Sequence, residues 1–153
     1  MYLVFDTETT GLPINWKAPL TDFNNWPRLV QLAWQIHGIK GDLIEVKNYI
    51  IKPDGFTIPY NAEKIHGIST QKAIAEGLSI KDVLNFFIED LSKADYIIGH
   101  NISFDNSIVG CEFLRNNMAN ILIDKYSIDT KNESTEFCQL PGGRGGKFKW
   151  PNL

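Results

Sequence analysis

Two acids stand one residue apart at the end of an apolar run, in Leu3-Val4-Phe5-Asp6-Thr7-Glu8-Thr9-Thr10-Gly11-Leu12-Pro13. Along an extended strand residues i and i+2 face the same side, so Asp6 and Glu8 project together. Two carboxylates so close repel each other, and no basic residue lies near them in sequence. A divalent cation relieves that repulsion. All-oxygen ligands select a hard ion, Mg²⁺ or Mn²⁺, over zinc. The Thr9-Thr10-Gly11 turn that follows offers backbone N–H groups suited to a phosphate or a terminal hydroxyl.

A second cluster of chemistry-bearing residues is Ile97-Ile98-Gly99-His100-Asn101-Ile102-Ser103-Phe104-Asp105. A buried strand here runs into a polar turn and then a helix. With Ser103 as the expected cap, Asp105 lies in the first helical turn, where the helix dipole favours an acid. A lone Asp there would be a common helix-start residue. Beside Asp6 and Glu8 it is a candidate third carboxylate.

The elements that must position these groups follow from the pattern. Residues 2–5 read as a buried strand ending at Asp6, at the strand edge where open α/β sheets bind ligands. A polar, Trp-containing loop occupies roughly 12–27 and is most simply a surface loop. Residues 28–38 alternate and are rich in Val, Ile and Trp, as a strand requires. Lys40-Gly41-Asp42 marks a hairpin, and 43–53 returns as a strand closed by Pro53. Asn61 is expected to cap a short helix that Gly67 ends, and Ser69 or Thr70 starts another that Gly77 ends. Ser79 and Asp82 form a capping box before Ile80, Val83, Leu84, Phe87 and Leu91 at helical spacing. Residues 95–101 are a short strand, followed by a helix to about 116. Residues 126–130 are a further strand or a helix edge, and 140–150 are a glycine-rich basic loop. Strands first, then helix, strand, helix, suggest an α/β fold, a mixed sheet flanked by helices.

The chain has 153 residues, 43% hydrophobic and 22% charged, which suits one globular domain spanning 1–153. A formal net charge of −3 argues against a broad basic nucleic-acid surface, and leaves room for local grip on one strand. Cys111 and Cys138 match no zinc spacing and read as free thiols. There is no signal-like N-terminus and no run of the ~20 apolar residues a membrane span needs. The expectation is a cytoplasmic protein with no membrane partner.

Residues 5–11 resemble the first motif of the DEDD exonucleases, and residues 100–105 resemble the second. Glu63-Lys64-Ile65-His66-Gly67-Ile68-Ser69, Arg28–Trp34 and residues 137–153 resemble segments of the DEDDh branch, which includes the proofreading epsilon subunit of bacterial DNA polymerase III. The resemblance implies a ribonuclease H-like fold and metal-dependent removal of nucleotides from DNA or RNA 3′ ends, in proofreading or repair. It implies two Mg²⁺ or Mn²⁺ ions, with Asp6 bridging both, Glu8 on the water-activating one, and Asp105 serving the second directly or through water. The backbone of Thr9, Thr10 and Gly11 would hold the terminal nucleotide. Leu12, His66 and Phe104 would wedge or stack terminal bases, and Asn101 would also meet substrate. Of these His66, alone before a glycine, reads more simply as a helix-end residue. His37, His100, Gln31 and Trp34 read as structural. The implied partners are a single-stranded 3′ end and a DNA polymerase subunit.

The resemblance also implies a third motif carrying a general base and a fourth carboxylate, after a helix beginning near Pro151-Asn152-Leu153. No His follows His100, and Asp124, Asp129, Glu133 and Glu136 lie in no His-containing helical motif. The expectation is therefore a C-terminally incomplete fold, inactive by itself, whose Trp150 and Leu153 have nothing after them to bury them. Two readings compete with an exonuclease. One is a non-catalytic module binding a 3′ end or a polymerase partner. The other, weaker, is a phosphatase, with Glu8 where that chemistry places a second Asp.

Overall fold

A computed structural model describes residues 1–152; Leu153 lies outside the described residues. Its centre is a five-stranded sheet in the order β3-β2-β1-β4-β5. The strands are β1 (Tyr2–Thr9), β2 (Leu29–His37), β3 (Leu43–Ile50), β4 (Tyr96–Gly99) and β5 (Tyr126–Asp129). β1 pairs antiparallel with β2 and parallel with β4, and β4 pairs parallel with β5. The sheet is thus mixed, as expected, with β1 at its middle.

The helices are α1 (Tyr60–His66), α2 (Thr70–Glu76), α3 (Ile80–Leu91), α4 (Ile102–Arg115), α5 (Thr130–Glu133) and α6 (Thr135–Cys138). The core forms where the inward residues of the sheet meet α3 and α4. Phe87 of α3 packs against both Phe5 and Trp34, with ring centroids 5.3 and 5.2 Å apart. Ile108, Val109 and Phe113 of α4 join the same cluster. Each such side chain contributes about 1.5–3 kcal/mol through burial. On the other side of β1, Tyr2, Val4, Asp6 and Glu8 share a face. Tyr2, Tyr96 and Tyr126 form a row across β1, β4 and β5, with centroids 5.4 and 5.7 Å apart.

Several boundaries differ from the sequence expectation. β1 does not end at Asp6 but runs to Thr9, because its ladder with β2 continues through Glu8↔Gln31 to a bulge before Thr9. β3 stops at Ile50, and Ile51 gives one more bond to β2, its amide to the Val30 carbonyl at 2.8 Å, and a bridge to Leu78. Pro59, not Asn61, caps α1, since its φ of −64° and extended ψ already suit the helix entry. Asn101, not Ser103, caps α4, and adopts the left-handed region at φ 65°. Ser69 and Ser79 cap α2 and α3 as expected, with Ser79 and Asp82 bonded reciprocally. Gly67 ends α1 at φ 74°, a conformation that favours glycine. Residues 126–130 are both expected alternatives in succession: β5, then the start of α5. Leu140 pairs with Lys149 across the glycine-rich loop. Trp150 is largely exposed, with the Lys131 ammonium 4.5 Å from its ring centroid. Cys111 is buried and Cys138 exposed, both free.

Candidate active site

Asp6 and Glu8 leave β1 on the face away from α3 and α4. Between them Thr7 points the other way and is buried. β4 accompanies β1 only as far as Val4, so beyond it the Thr7 amide has no strand partner on that side. Asp105 fills the gap. Its Oδ1 accepts the Thr7 amide at 3.0 Å and the Thr7 hydroxyl at 2.6 Å. The first turn of α4 is thereby tied to the strand that carries the other two acids. Thr7 was not singled out in the sequence, although its place between two acids, facing the core, was a usable signal.

The junction that aims Asp105 is also held from afar. Asp129, at the end of β5, accepts the Asn101 amide at 2.8 Å and the Lys131 amide at 3.0 Å. That contact supports the left-handed Asn101 and displaces the cap from Ser103. Gly99 lies where a Cβ would sit 3.1 Å from the Phe5 carbonyl oxygen, so a small residue lets the turn approach β1. The Asn101 side chain, expected to meet substrate, instead accepts from Lys131 Nζ at 2.5 Å. His100 meets Thr130 Oγ1 at 3.1 Å and donates to the Pro151 carbonyl at 2.9 Å, in keeping with a structural role.

The turn after β1 is more self-contained than expected. The Thr10 amide donates to the Arg28 carbonyl at 3.0 Å, and the Arg28 amide returns a bond to Thr10 Oγ1 at 2.9 Å. The Gly11 amide faces Thr9 Oγ1 at 3.4 Å. Two of the three amides expected to face a ligand are therefore engaged within the turn. Leu12 is exposed beside it. Phe104 is partly buried, one residue before Asp105. His66 reaches the site from the end of α1. Its Nδ1 accepts the Ile68 amide at 3.1 Å, which puts the ring proton on Nε2, and Nε2 is buried with no partner in the protein.

The electrostatics set these acids apart. Burial pushes the Asp6 carboxyl above its usual value, against the pull of the Thr7 amide and the His100 charge. Burial also raises Glu8, the Asp6 charge raises it further, and His66 opposes both. Burial pushes Asp105 up to about 7, with the Asp6 charge adding to the rise and the Thr7 bonds opposing it. Among the described residues none of the three makes a salt bridge.

Such a set fits a hard divalent cation, which would lower all three at once. It does not yet converge. Among the described residues no group of three His, Cys, Asp or Glu side chains is gathered closely enough to hold a metal. Asp105 is turned toward Thr7, which donates to its Oδ1. Asp6 and Glu8 thus face away from the core, and Asp105 lies buried behind them, bonded to Thr7. A cavity of about 410 Å³ opens beside Asp6, between Val4, Ala33, Gln35, Val46, Asn48 and His100.

Residues 3–140 match the family model described as exonuclease, of the RNase T type. The chain belongs to this exonuclease family. Curated relatives with similar sequence include the PolC-type DNA polymerase III of Mycoplasmopsis pulmonis, 32% identical over 136 residues. That match covers 86% of this chain and 8% of the polymerase. The PolC-type polymerase of Streptococcus pyogenes serotype M18 is 31% identical over 120 residues, covering 78% of this chain and 7% of its own length. The exonuclease chain described here therefore spans less than a tenth of either relative. Among solved structures, Escherichia coli exonuclease I bound to a dA16 oligonucleotide superposes with a TM-score of 0.74 at 22% identity. It covers 98% of this chain and 34% of its own. A zinc-bound form of the E. coli exonuclease I complex with single-stranded DNA gives 0.72 at 23% identity, over 92% of this chain and 30% of that one. These likenesses show the ribonuclease H-like α/β fold expected from the sequence.

Proposed function

We propose that this chain is the metal-binding and 3′-end-binding part of a 3′–5′ exonuclease acting on single-stranded DNA. The observation that carries the proposal is the trio Asp6, Glu8 and Asp105. They are acids on neighbouring elements, all raised by burial, with the Asp6 charge adding to the rise of Glu8 and Asp105, and none makes a salt bridge among the described residues. Asp6 and Glu8 would hold Mg²⁺ or Mn²⁺ directly, and Asp105 would act through water or after release from Thr7. Bound there, such ions supply a activated water nucleophile and charge stabilisation at the phosphate.

The chain's own residues do the rest. Asp105 and Thr7 fix α4 against β1 and so keep the acids in register. His66 Nε2, buried and without a protein partner, would meet the terminal nucleotide once the end of α1 shifts to expose it. Leu12 and Phe104 provide apolar contact for its base, while Thr9, Thr10 and Gly11 shape the turn beneath it. Asn101, engaged by Lys131, supports the helix start and reaches substrate only if that bond opens. Residues 1–153 act as one domain in this reading. PolC-type relatives make DNA the favoured polymer, and a polymerase the favoured partner. Free Cys111 and Cys138 suit a reducing cytoplasm, and no helix among the described residues is long and apolar enough to cross a membrane.

The engaged turn amides and the turned Asp105 favour a second reading, a module that holds a 3′ end without cutting it. Calorimetric titration with Mn²⁺ tests the site: wild type binds, and Asp6→Asn loses binding. Equal heats for both proteins would overturn the metal assignment. A 5′-labelled oligonucleotide then separates the readings. Laddering that Asp6→Asn abolishes assigns cleavage to this chain, whereas a bound, intact oligonucleotide makes it an end-binding module.

A further inference from the structure

The loop between β1 and β2, residues 10–28, has no regular secondary structure, yet it is tied down along its length. Loops this long in compact domains are usually functional or disordered. Asn25, 6% exposed, closes the loop on itself: its Oδ1 accepts the Asn15 amide at 2.6 Å and its Nδ2 donates to the Asn15 carbonyl at 3.0 Å. Arg115 donates to the carbonyls of Phe23, Trp26 and Pro27 at 2.6, 2.6 and 3.2 Å. Buried Glu112 holds both Arg115 and Arg28, at 2.9 and 2.8 Å. Trp26 plugs the loop into the main core: it is 5% exposed and its Nε1 donates to the Pro19 carbonyl at 3.1 Å.

Trp16, in the same loop, does none of this. It is 55% exposed, and Leu12 and Ile14 beside it are 72% and 84% exposed. One side of its indole rests on Phe104, with centroids 5.7 Å apart and planes inclined at 47°. Phe104 precedes Asp105, so the indole is propped against the edge of the acid cluster. The two rings touch, which leaves no space for a base between them; the free side of the indole faces solvent. Lys17 follows, exposed and with no ion pair among the described residues.

We propose that Trp16, buttressed by Phe104, is a stacking platform for one unpaired base upstream of the 3′-terminal nucleotide, with Lys17 beside it for the backbone phosphate. This rests on the reading of the acid cluster as a 3′-end site. The occupant follows from the chemistry. A rigid indole with one open face, next to a cation and an acid cluster built for metal, matches a base with its phosphate better than an apolar peptide. An open face needs a base whose own face is free, which selects single strands over duplexes. Stacking without hydrogen-bond readout tolerates any base.

Anisotropy of a 5′-fluorescein-labelled dT10 oligonucleotide at fixed salt tests the platform, with circular dichroism and Mn²⁺ titration as controls of folding. Trp16→Ala should weaken binding about tenfold and Trp16→Phe should restore most of it. Lys17→Ala should make the salt dependence shallower by roughly 0.7 in log–log slope. A scan with single abasic nucleotides near the 3′ end locates the contact. At one position upstream of the terminus, the abasic lesion should weaken wild type and leave Trp16→Ala unaffected. Trp16→Ala binding as tightly as wild type, or equal losses in both proteins at every abasic position, overturns the platform and leaves the 3′-end reading standing. Failure of wild type to bind any single strand overturns both.

Discussion

Three acids are almost wholly removed from solvent, and the fold treats them in two ways. Asp90 and Glu112, each 0% exposed, sit among cations. Asp90 accepts from Lys47 at 2.7 Å, Lys93 at 2.8 Å and Trp34 Nε1 at 2.9 Å. Burial alone would push its carboxyl up, but those hydrogen bonds outweigh it and hold Asp90 below the ordinary value. Glu112 is gripped by Arg28 and Arg115 and also takes the Leu29 amide at 3.2 Å. Asp105, 2% exposed, has only threonine and the nearby Asp6 charge, and stands at about 7. The fold gives Asp90 and Glu112 salt-bridge partners. Among the described residues it gives none to Asp105, nor to Asp6 and Glu8 on β1, which leaves these acids open to the metal proposed above.

The largest break in this contrast comes from removing a paired acid. Glu112→Ala leaves two guanidinium groups without their shared partner and frees the loop they anchor. It should cost roughly 3–5 kcal/mol by urea denaturation. Glu112→Gln, which keeps an acceptor for the Leu29 amide, should cost less. A loss under about 1 kcal/mol for Glu112→Ala would mean the network is not what holds that loop.

The next effect reads the unpaired acid through pH. The native state keeps a proton on Asp105 up to about 7, whereas the unfolded chain loses it near the ordinary carboxylate value. Between those pH values the native state binds more protons, so stability falls as pH rises. In chelator, the Asp105 contribution should fall by roughly 2–4 kcal/mol from pH 4 to pH 8. Asp6 and Glu8, also raised, push the same way. Asp105→Asn should flatten that slope, and an unchanged slope in denaturation series at several pH values would remove Asp105 from the set of strained acids.

The smallest effect grades the cations around Asp90. Lys93 is more than half exposed, so Lys93→Ala should cost less than about 1 kcal/mol. Lys47 is mostly buried beside Trp34, and Lys47→Ala should cost more. The reverse order would show that exposure does not grade these ion pairs.

Much of the site was legible in the sequence because its signals are local. Asp6 and Glu8 share a face through strand geometry alone, and Asp105 falls in the first turn of α4 as expected. Gly67 ends α1 and Ser79 caps α3 for equally local reasons. The helix cap at Asn101 was missed because Asp129, 28 residues away, supplies the acceptor. The role of Thr7 was missed because it depends on where β4 stops. Glu112 gave no signal in the sequence; only the approach of Arg28 shows it to be an anchor. Trp16 and Trp26 look alike in one polar loop, and packing alone separates the buried one from the exposed one.

The sequence by itself determined which acids exist, that two of them share one strand face, and which family they resemble, since these depend on spacing and residue type within a few positions. Only the tertiary structure decided which acids receive a cation, which turn amides remain free, and which tryptophan is left in solvent. Those outcomes depend on groups distant in sequence, brought within hydrogen-bond range by the crossing of α4 over β1 and the closure of the 10–28 loop onto Arg115.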